Sequence, residues 1–133
     1  DRWFATNVFE QKQKGFYGVY IKQHLGDLDS DRARKFAPIV SKYASDDIRI
    51  TVNQGWLLKY VNKEELPALF NELNTIGLAE PGFDSTADIT ACPGTDTCNL
   101  GISSSTGLSA ALEKMLLEEF PDIIFNKNIK IKF

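Results

Sequence analysis

The chain has 133 residues, of which 43% are apolar and 25% are charged, and its formal net charge is −3. This composition is ordinary for a globular protein, and no apolar run approaches the ~18–20 residues that a membrane span needs. The acidic balance argues against a general nucleic-acid-binding protein, which carries a basic face for the phosphates. We therefore expect one compact domain, or little more, with neither a membrane nor a nucleic acid as partner.

The first half of the chain begins with a strand and a helix. The mixed pattern of the first fifteen residues predicts an extended lead-in, and the aromatic and β-branched residues 16–23 predict a strand. Asp29, or the serine after it, can cap a helix over about 30–43, where apolar residues recur at helical spacing. Pro38 lies inside that pattern and predicts a kink.

A hairpin follows this helix. Alternating apolar residues over 48–52 predict a half-buried strand, and the Asn-Gln-Gly sequence at 53–55 is a turn signal. Residues 56–61 then predict the returning strand.

A second helix closes this unit. Asn62 and Glu65 have the spacing of a capping box, and Gly77 fits the position just past a helix end. Between them, apolar residues follow the i, i+3, i+4, i+7 spacing of a buried helix face. They are Leu66, Leu69, Phe70 and Leu73. The order βαββα predicts a ferredoxin-like α+β unit whose sheet is covered on one face by two helices.

The second half predicts an incomplete unit. Residues 79–87 have the composition of a linker, and a short strand is predicted near 88–91. A helix is predicted over about 106–120, and alternation over 128–133 predicts a strand. The apolar side of that helix would carry Leu108, Leu112, Met115 and Leu116.

We therefore place a boundary between residues 1–80 and residues 81–133. The fold class is α+β, a ferredoxin-like βαββα unit followed by the first strand-helix-strand of a second α+β unit. We also expect the chain to be a piece of a longer protein, because it begins with Asp1 rather than methionine and stops at Phe133 inside a predicted strand.

Cys92 and Cys98 are separated by five residues that include Pro93 and Gly94. They lie where a predicted strand leads into a helix, so one loop can direct both thiols to one point, and the helix N-terminus favours the thiolate form. Thiolates are the usual protein ligands of iron–sulfur clusters. The spacing alone also fits two buried small side chains or a surface disulfide.

The sequence DITACPGTDTCNLGISSS over residues 88–105 resembles the first cluster-ligand motif of the nitrite and sulfite reductase family. Other parts of the chain carry the same resemblance. They are Trp3, Asn7, Val8, Gln13 and Gly15, the Gly26-Asp27-Leu28 turn, residues 48–51 with Gln54, and residues 66–69. The resemblance therefore covers nearly the whole chain.

This resemblance implies a fragment of a sirohaem- and [4Fe–4S]-dependent reductase that reduces nitrite to ammonia or sulfite to sulfide by six electrons. In the family, a C-x5-C pair and a later C-x3-C pair hold the cluster, and a thiolate of the second pair bridges it to the sirohaem iron. Cys92 and Cys98 would be the first pair, and the first half of the chain would be the family's ferredoxin-like half-domain. Because Asn53 replaces an arginine typical of the family's N-terminal half, the chain resembles the start of the C-terminal half.

The resemblance also implies further assignments. Gln54 matches a glutamine near the macrocycle, and we expect it to contact sirohaem or to serve only as a polar turn residue. No catalytic residue is assigned. The partners would be the remainder of the same enzyme and an electron donor such as ferredoxin or a flavoprotein, in the cytoplasm. Because two thiolates are half of a cluster site, we expect the isolated chain to bind no stable cluster or sirohaem and to be inactive.

Two other interpretations stay open. The chain is alternatively a stand-alone ferredoxin-like binding module whose cysteines are thiols or a disulfide, or a dimer that shares a metal through both cysteine pairs. His24 is interpreted as a polar surface histidine. Six lysines are interpreted as a solvated face rather than as a patch for an anionic partner or an electron donor. They are Lys12, Lys14, Lys22, Lys127, Lys130 and Lys132.

Overall fold

A four-stranded antiparallel sheet organises the first part of the molecule. The structure, a computed structural model, describes residues 2–133. Its helices and strands are α1 (Arg2–Asn7), β1 (Val8–Glu10), β2 (Phe16–Ile21), α2 (Ser30–Tyr43), β3 (Ile48–Ile50), β4 (Trp56–Asn62), α3 (Leu66–Thr75) and α4 (Ser105–Glu119). Below, residues 2–80 are called the sheet region and residues 81–133 the cysteine region.

The strand order is β1-β2-β4-β3, and every neighbouring pair is antiparallel. Because β2 and β3 both run opposite to β4, they are parallel to each other, and α2 supplies the crossover that parallel strands require. This is the split βαβ arrangement of ferredoxin-like folds, so the predicted α+β class is confirmed. The predicted extended lead-in is wrong, because it contains α1 and the edge strand β1.

Helices α2 and α3 pack on one face of this sheet, as predicted. The buried apolar cluster combines strand residues with residues of both helices. Its fully buried members with relative exposure of 0% include Val19, Ile21, Leu58, Leu69 and Leu73. At roughly 1.5–3 kcal/mol for each large buried apolar side chain, this cluster is the main stabilising element of the sheet region.

The helix ends follow the sequence signals in part. Asp29 caps α2 by accepting a hydrogen bond from the backbone N–H of Arg32 at 2.8 Å, and the helix continues through Pro38. Asn62 does not cap α3 as predicted, because a 3-10 turn over Lys63–Glu65 precedes that helix. The Asn62 side chain instead donates to the Glu65 carboxylate at 3.2 Å.

Strand β3 is exposed rather than half-buried. Ile50 and Val52 are 81% and 91% exposed, and Ile48 is 37% exposed. The physical reason is position, because β3 is a three-residue edge strand that pairs only with β4. Alternation of apolar residues indicates a strand but does not show that one of its faces is covered.

The predicted linker is packed rather than open. Ser85, Thr86 and Ala87 are at most 2% exposed. Asn7, which is fully buried, donates to the carbonyl of Glu80 at 3.0 Å and accepts from the N–H of Phe83 at 3.3 Å. A buried amide with its hydrogen bonds satisfied is an effective attachment point, so this segment is fixed against the sheet region.

The cysteine region has a small core and little regular structure. Its buried apolar cluster consists of Ala87, Ile89, Leu116 and Ile124. The two predicted strands reduce to one parallel bridge between Thr90 and Lys132. Helix α4 agrees with its prediction to within one residue at each end.

The buried side of α4 differs from the predicted stripe. Ser109, Glu113 and Leu116 face inward, whereas Leu108 and Met115 are 51% and 38% exposed. The reason is that α4 packs against a part of the sheet region that carries the buried Lys22, and this lysine pairs with Glu113. None of the helices within residues 2–133 has the length and apolar character that a membrane crossing requires.

Candidate functional site

Cys92 lies at the end of a short extended segment that pairs with the last residues of the chain. The backbone N–H of Cys92 donates to the carbonyl of Phe133 at 3.2 Å. Phe133 in turn donates to the carbonyl of Thr90 at 2.8 Å. The two segments run in parallel, so Cys92 and Phe133 lie side by side.

The loop after Cys92 turns tightly around Gly94. Gly94 has a φ of +58°, and a Cβ there would lie 2.7 Å from Oγ of Ser105 and 2.8 Å from the carbonyl of Ser103. The Cys98 N–H donates to the Gly94 carbonyl at 2.9 Å. Only glycine combines this backbone conformation with this clearance, so the C-x5-C spacing depends on it.

Both thiols are free and exposed. The side chains of Cys92 and Ser105 are hydrogen-bonded at 3.6 Å. The Ser105 hydroxyl, followed by the backbone N–H of Gly94, lowers the pKa of Cys92 below its ordinary value. Ser105 is the first residue of α4, so the Cys92 thiol lies at a helix N-terminus, where the thiolate is also favoured.

The donor set of this loop fits a thiolate-ligated cluster only in part. Two accessible thiols, one of them with a lowered pKa, are suitable cluster ligands. A [4Fe–4S] cluster takes four cysteines. Within residues 2–133, His, Cys, Asp and Glu side chains form no group of three or more that could hold a metal ion.

Gln54 lies in the turn between β3 and β4, beside the cysteine segment. Its Nε2 donates to the carbonyl of Ala91 at 2.9 Å, and its Oε1 accepts from the N–H of Ala91 at 3.2 Å. The structure therefore brings Gln54 and Cys92 close together through Ala91. Both polar ends of the Gln54 amide are engaged by protein, and its expected contact with sirohaem stays a prediction.

An ionic cluster centred on the buried Lys22 and Glu113 joins α4 to the end of β2, and sequence reasoning missed it. Lys22 Nζ lies 2.7 Å from Glu113 Oε1 and 2.8 Å from Glu80 Oε1. His24 Nδ1 lies 2.5 Å from Glu113 Oε2. Lys22 is only 4% exposed, so its interpretation as a residue of a solvated face is wrong.

Two carboxylates stabilise the buried Lys22 ammonium. Burial lowers the pKa of Lys22, but the Glu80 and Glu113 carboxylates outweigh burial, so the pKa is raised overall. No sequence pattern marked Glu113 as buried, because the inward side of α4 also carries the polar Ser109. The pairing itself spans 91 positions and leaves no local pattern.

Asp88 is a second buried acid near the start of the cysteine segment. Burial raises its pKa to about 6, although the N–H of Asp84 and the charge of Lys22 favour the ionised form. The Asp84 N–H donates to Asp88 Oδ2 at 2.7 Å. Burial therefore places the pKa of Asp88 well above that of an ordinary aspartate.

Comparison with known proteins identifies the family. Residues 9–76 match the family described as "Nitrite/Sulfite reductase ferredoxin-like half domain". The chain belongs to the nitrite/sulfite reductase family. The matched residues contain the whole split βαβ arrangement and its second helix.

The relatives are nitrite and sulfite reductases. The large subunit of nitrite reductase [NAD(P)H] from Klebsiella oxytoca is 30% identical over 120 residues, which are 85% of this chain and 12% of that protein. The assimilatory-type sulfite reductase of Nitratidesulfovibrio vulgaris is 27% identical over 84% of this chain and 51% of that protein. The chain thus spans between about an eighth and a half of these relatives, and matches part of a longer reductase.

A solved structure shares the fold. The Mycobacterium tuberculosis NirA protein superposes with a TM-score of 0.76 at 22% identity. The match covers 96% of this chain and 24% of that structure, so it extends through the cysteine region. The fold of both regions is therefore shared with the NirA protein.

Proposed function

We propose that this chain forms one side of the cofactor site in a sirohaem- and [4Fe–4S]-dependent nitrite or sulfite reductase, with Cys92 and Cys98 as two of the cluster's thiolate ligands. One observation carries the proposal: in a chain of this family, two free, exposed thiols lie on one glycine-dependent loop at a helix N-terminus. The bound cofactors would supply the electron-transfer chemistry for the six-electron reduction of nitrite to ammonia or of sulfite to sulfide.

The chain's own residues prepare and place the ligands. Ser105 and the Gly94 N–H lower the pKa of Cys92, which favours the thiolate that a metal ligand must be. Gly94 lets the loop turn back on itself, and its carbonyl accepts a hydrogen bond from the Cys98 N–H. We keep Gln54 as a proposed sirohaem contact, although both ends of its amide already bind Ala91.

The rest of the site would come from the remainder of the same enzyme. We propose that a C-x3-C pair follows the paired segment that ends at Phe133, because this segment runs beside Cys92. Residues 1–80 would form the ferredoxin-like half-domain, and residues 81–133 the start of the cluster and sirohaem domain. We further propose a ferredoxin or flavoprotein as electron donor and a cytoplasmic location, where thiols stay reduced.

Reading the source gene downstream of the Phe133 codon tests this proposal first. We expect a C-x3-C sequence within about ten codons, which would complete the four-thiolate set. A stop codon at that point would overturn the reductase proposal and favour a stand-alone module with two free thiols.

Iron analysis of the longest natural chain tests the ligands directly. After anaerobic purification, we expect Cys92→Ser and Cys98→Ser each to lose iron and acid-labile sulfide, whereas Ser103→Ala in the same loop keeps both. The chain of residues 1–133 alone should retain no stable cluster. Full iron and sulfide in the cysteine variants would contradict the proposed ligand assignment.

A further inference from the structure

Gln54 connects the hairpin of the sheet region to the residue that precedes Cys92. Its amide donates to the carbonyl of Ala91 at 2.9 Å and accepts from the N–H of the same residue at 3.2 Å. Ala91 is 5% exposed, so these bonds are largely sheltered from water. By satisfying both backbone groups of Ala91, one side chain does what a neighbouring strand would do, and it fixes this residue in both place and direction.

The backbone conformation of Gln54 indicates that glutamine occupies this position because of its side chain. Its φ is +59°, a conformation that non-glycine residues other than asparagine and aspartate rarely adopt. The turn is held by backbone and hydroxyl groups, since the N–H groups of Gln54 and Gly55 donate to the carbonyl and Oγ1 of Thr51. Asparagine would fit the turn at lower cost, but its shorter side chain would not reach Ala91.

A close approach on the other side of Gln54 restricts its position. A Cβ on Gly26 would lie 2.9 Å from the Cβ of Gln54, so the turn after β2 leaves no room for Gln54 to retreat. Gln54 therefore lies between the Gly26 turn on one side and Ala91 on the other. This packing transmits the position of the sheet region to the cysteine segment.

Two different interactions thus hold the segment that bears Cys92. On one side, backbone hydrogen bonds join Thr90 and Cys92 to the chain's last residues. On the other side, Gln54 holds Ala91. Because Cys92 directly follows Ala91, a shift of Ala91 moves the thiol by a similar amount, and ligands of a functional site must be held within about 0.5 Å.

We propose that Gln54 is a positioning residue that sets the place of the Cys92 thiol through its paired hydrogen bonds to Ala91. This inference rests on the proposed function, which gives the fixed thiol its use as a ligand. It adds to the expected sirohaem contact a role that needs no contact between Gln54 and any cofactor.

Residue-resolved amide hydrogen exchange on the chain of residues 1–133 tests the inference. In Gln54→Asn, which suits the turn but withdraws the amide, we expect exchange at the Ala91 N–H to rise about tenfold, the loss of roughly one hydrogen bond. Exchange at the Cys92 N–H should rise with it, whereas Thr90 and the buried Leu58 stay unchanged. Gln54→Glu keeps an acceptor for the Ala91 N–H but places a second carboxylate oxygen against the Ala91 carbonyl, so it should restore the protection only in part.

Asn53→Ala is the matched control. Asn53 lies in the same turn, but its side chain donates to Asp84 at 2.9 Å rather than to Ala91. This variant should leave exchange at Ala91 and Cys92 unchanged. If Gln54→Asn leaves exchange at Cys92 unchanged, or raises exchange equally at Thr90 and Leu58, the positioning role is overturned.

The longest natural chain supplies a second readout. There, Gln54→Asn should keep its iron and labile sulfide but alter the electron paramagnetic resonance spectrum of the reduced cluster, and an unaltered spectrum would count against the inference. If that chain holds no cluster at all, the proposed function fails, whereas the exchange experiment still decides whether Gln54 fixes the segment that bears Cys92.

Discussion

The sheet region buries fifteen apolar residues in one cluster, whereas the apolar cluster of the cysteine region contains four, counted over residues 2–133. The cysteine region instead makes several polar contacts, called attachments below, to the sheet region. Asn7 holds Phe83, Gln54 holds Ala91, and Lys22 holds Glu113. Each attachment starts in the sheet region, so that region serves as the scaffold and the cysteine region as the part positioned on it.

This difference shows which kind of interaction stabilises each region. Apolar burial is non-directional and scales with area, so it stabilises a fold without fixing a loop to a fraction of an ångström. Hydrogen bonds and buried ion pairs contribute less net free energy but impose geometry. A loop that must present ligands is therefore well served by polar attachments, at the expense of independent stability.

The largest expected effect comes from the scaffold's core. Leu58→Ala removes a side chain with 0% exposure and should lower the free energy of unfolding by about 4 kcal/mol. Because the cysteine region is attached to the sheet, it should lose its signals in urea with the sheet or before it. Ile50→Ala, at an 81% exposed position of the neighbouring strand, is the control and should change little. Equal effects from the two variants would contradict the assigned core.

The second-largest expected effect comes from the ion pair that attaches α4 to the sheet region. Lys22→Met keeps the apolar stem but leaves the buried Glu113 carboxylate with His24 alone, and should cost about 3 kcal/mol. In this variant, amide hydrogen exchange should rise in α4 while exchange in the sheet stays unchanged. Lys42→Met is the matched control, because Lys42 lies at the same 2.7 Å from Glu72 but is exposed. If both lysine variants are equally stable, the buried cluster is not an attachment of α4.

The sequence predicted the scaffold better than the attachments. Helix α2 was predicted with its observed bounds because its cap and its apolar spacing are both local signals. Gly77, with φ of +73°, ends α3 as predicted, and Leu78 donates back to the Leu73 carbonyl at 2.9 Å. Such signals act over a few residues, and periodicity records them.

The attachments leave no such record. Gln54 and Ala91 are 37 positions apart, and Lys22 and Glu113 are 91 apart. Each pair is complementary only once the chain has folded, so a buried lysine looks like any other lysine in the sequence. For the candidate site, spacing and thiol chemistry singled out Cys92 and Cys98, and the resemblance supplied their expected role and Gln54. Ser105 as the neighbour of Cys92 came only from the structure.

One component of the pH dependence of stability should report on the cysteine region. The pKa of Asp88 is raised to about 6 in the folded protein, above the ~3.9 of an unfolded aspartate. Between these values the folded state binds more protons, so the stabilisation present below about pH 4 is lost as pH rises to about 6. The loss should be about 2 kcal/mol.

Urea unfolding at pH 4 and pH 7 measures this effect. Asp88→Asn should remove that part of the pH dependence and should be more stable than the wild type at pH 7. The exposed Asp122→Asn should keep the wild-type profile. An Asp88→Asn profile that matches the wild type would show that Asp88 is not the titrating group.

The smallest expected effect sharpens the comparison most, because it applies the same chemical change to both regions. Asp29 caps α2 through the N–H of Arg32 at 2.8 Å, and Ser104 caps α4 through the N–H of Gly107 at 3.1 Å. Replacing either cap by alanine should cost about 1 kcal/mol.

The part of the molecule that loses stability should differ between the two cap variants. Helix α2 is part of the large core, so Asp29→Ala should lower the midpoint of global unfolding in urea. The start of α4 has few buried apolar neighbours, so Ser104→Ala should mainly raise amide exchange near Ser105, beside Cys92, and leave the midpoint almost unchanged. If Ser104→Ala shifts the midpoint as far as Asp29→Ala does, the two regions unfold as one unit. The cysteine loop would then be as stable as its scaffold, and its polar attachments would position it without leaving it separately mobile.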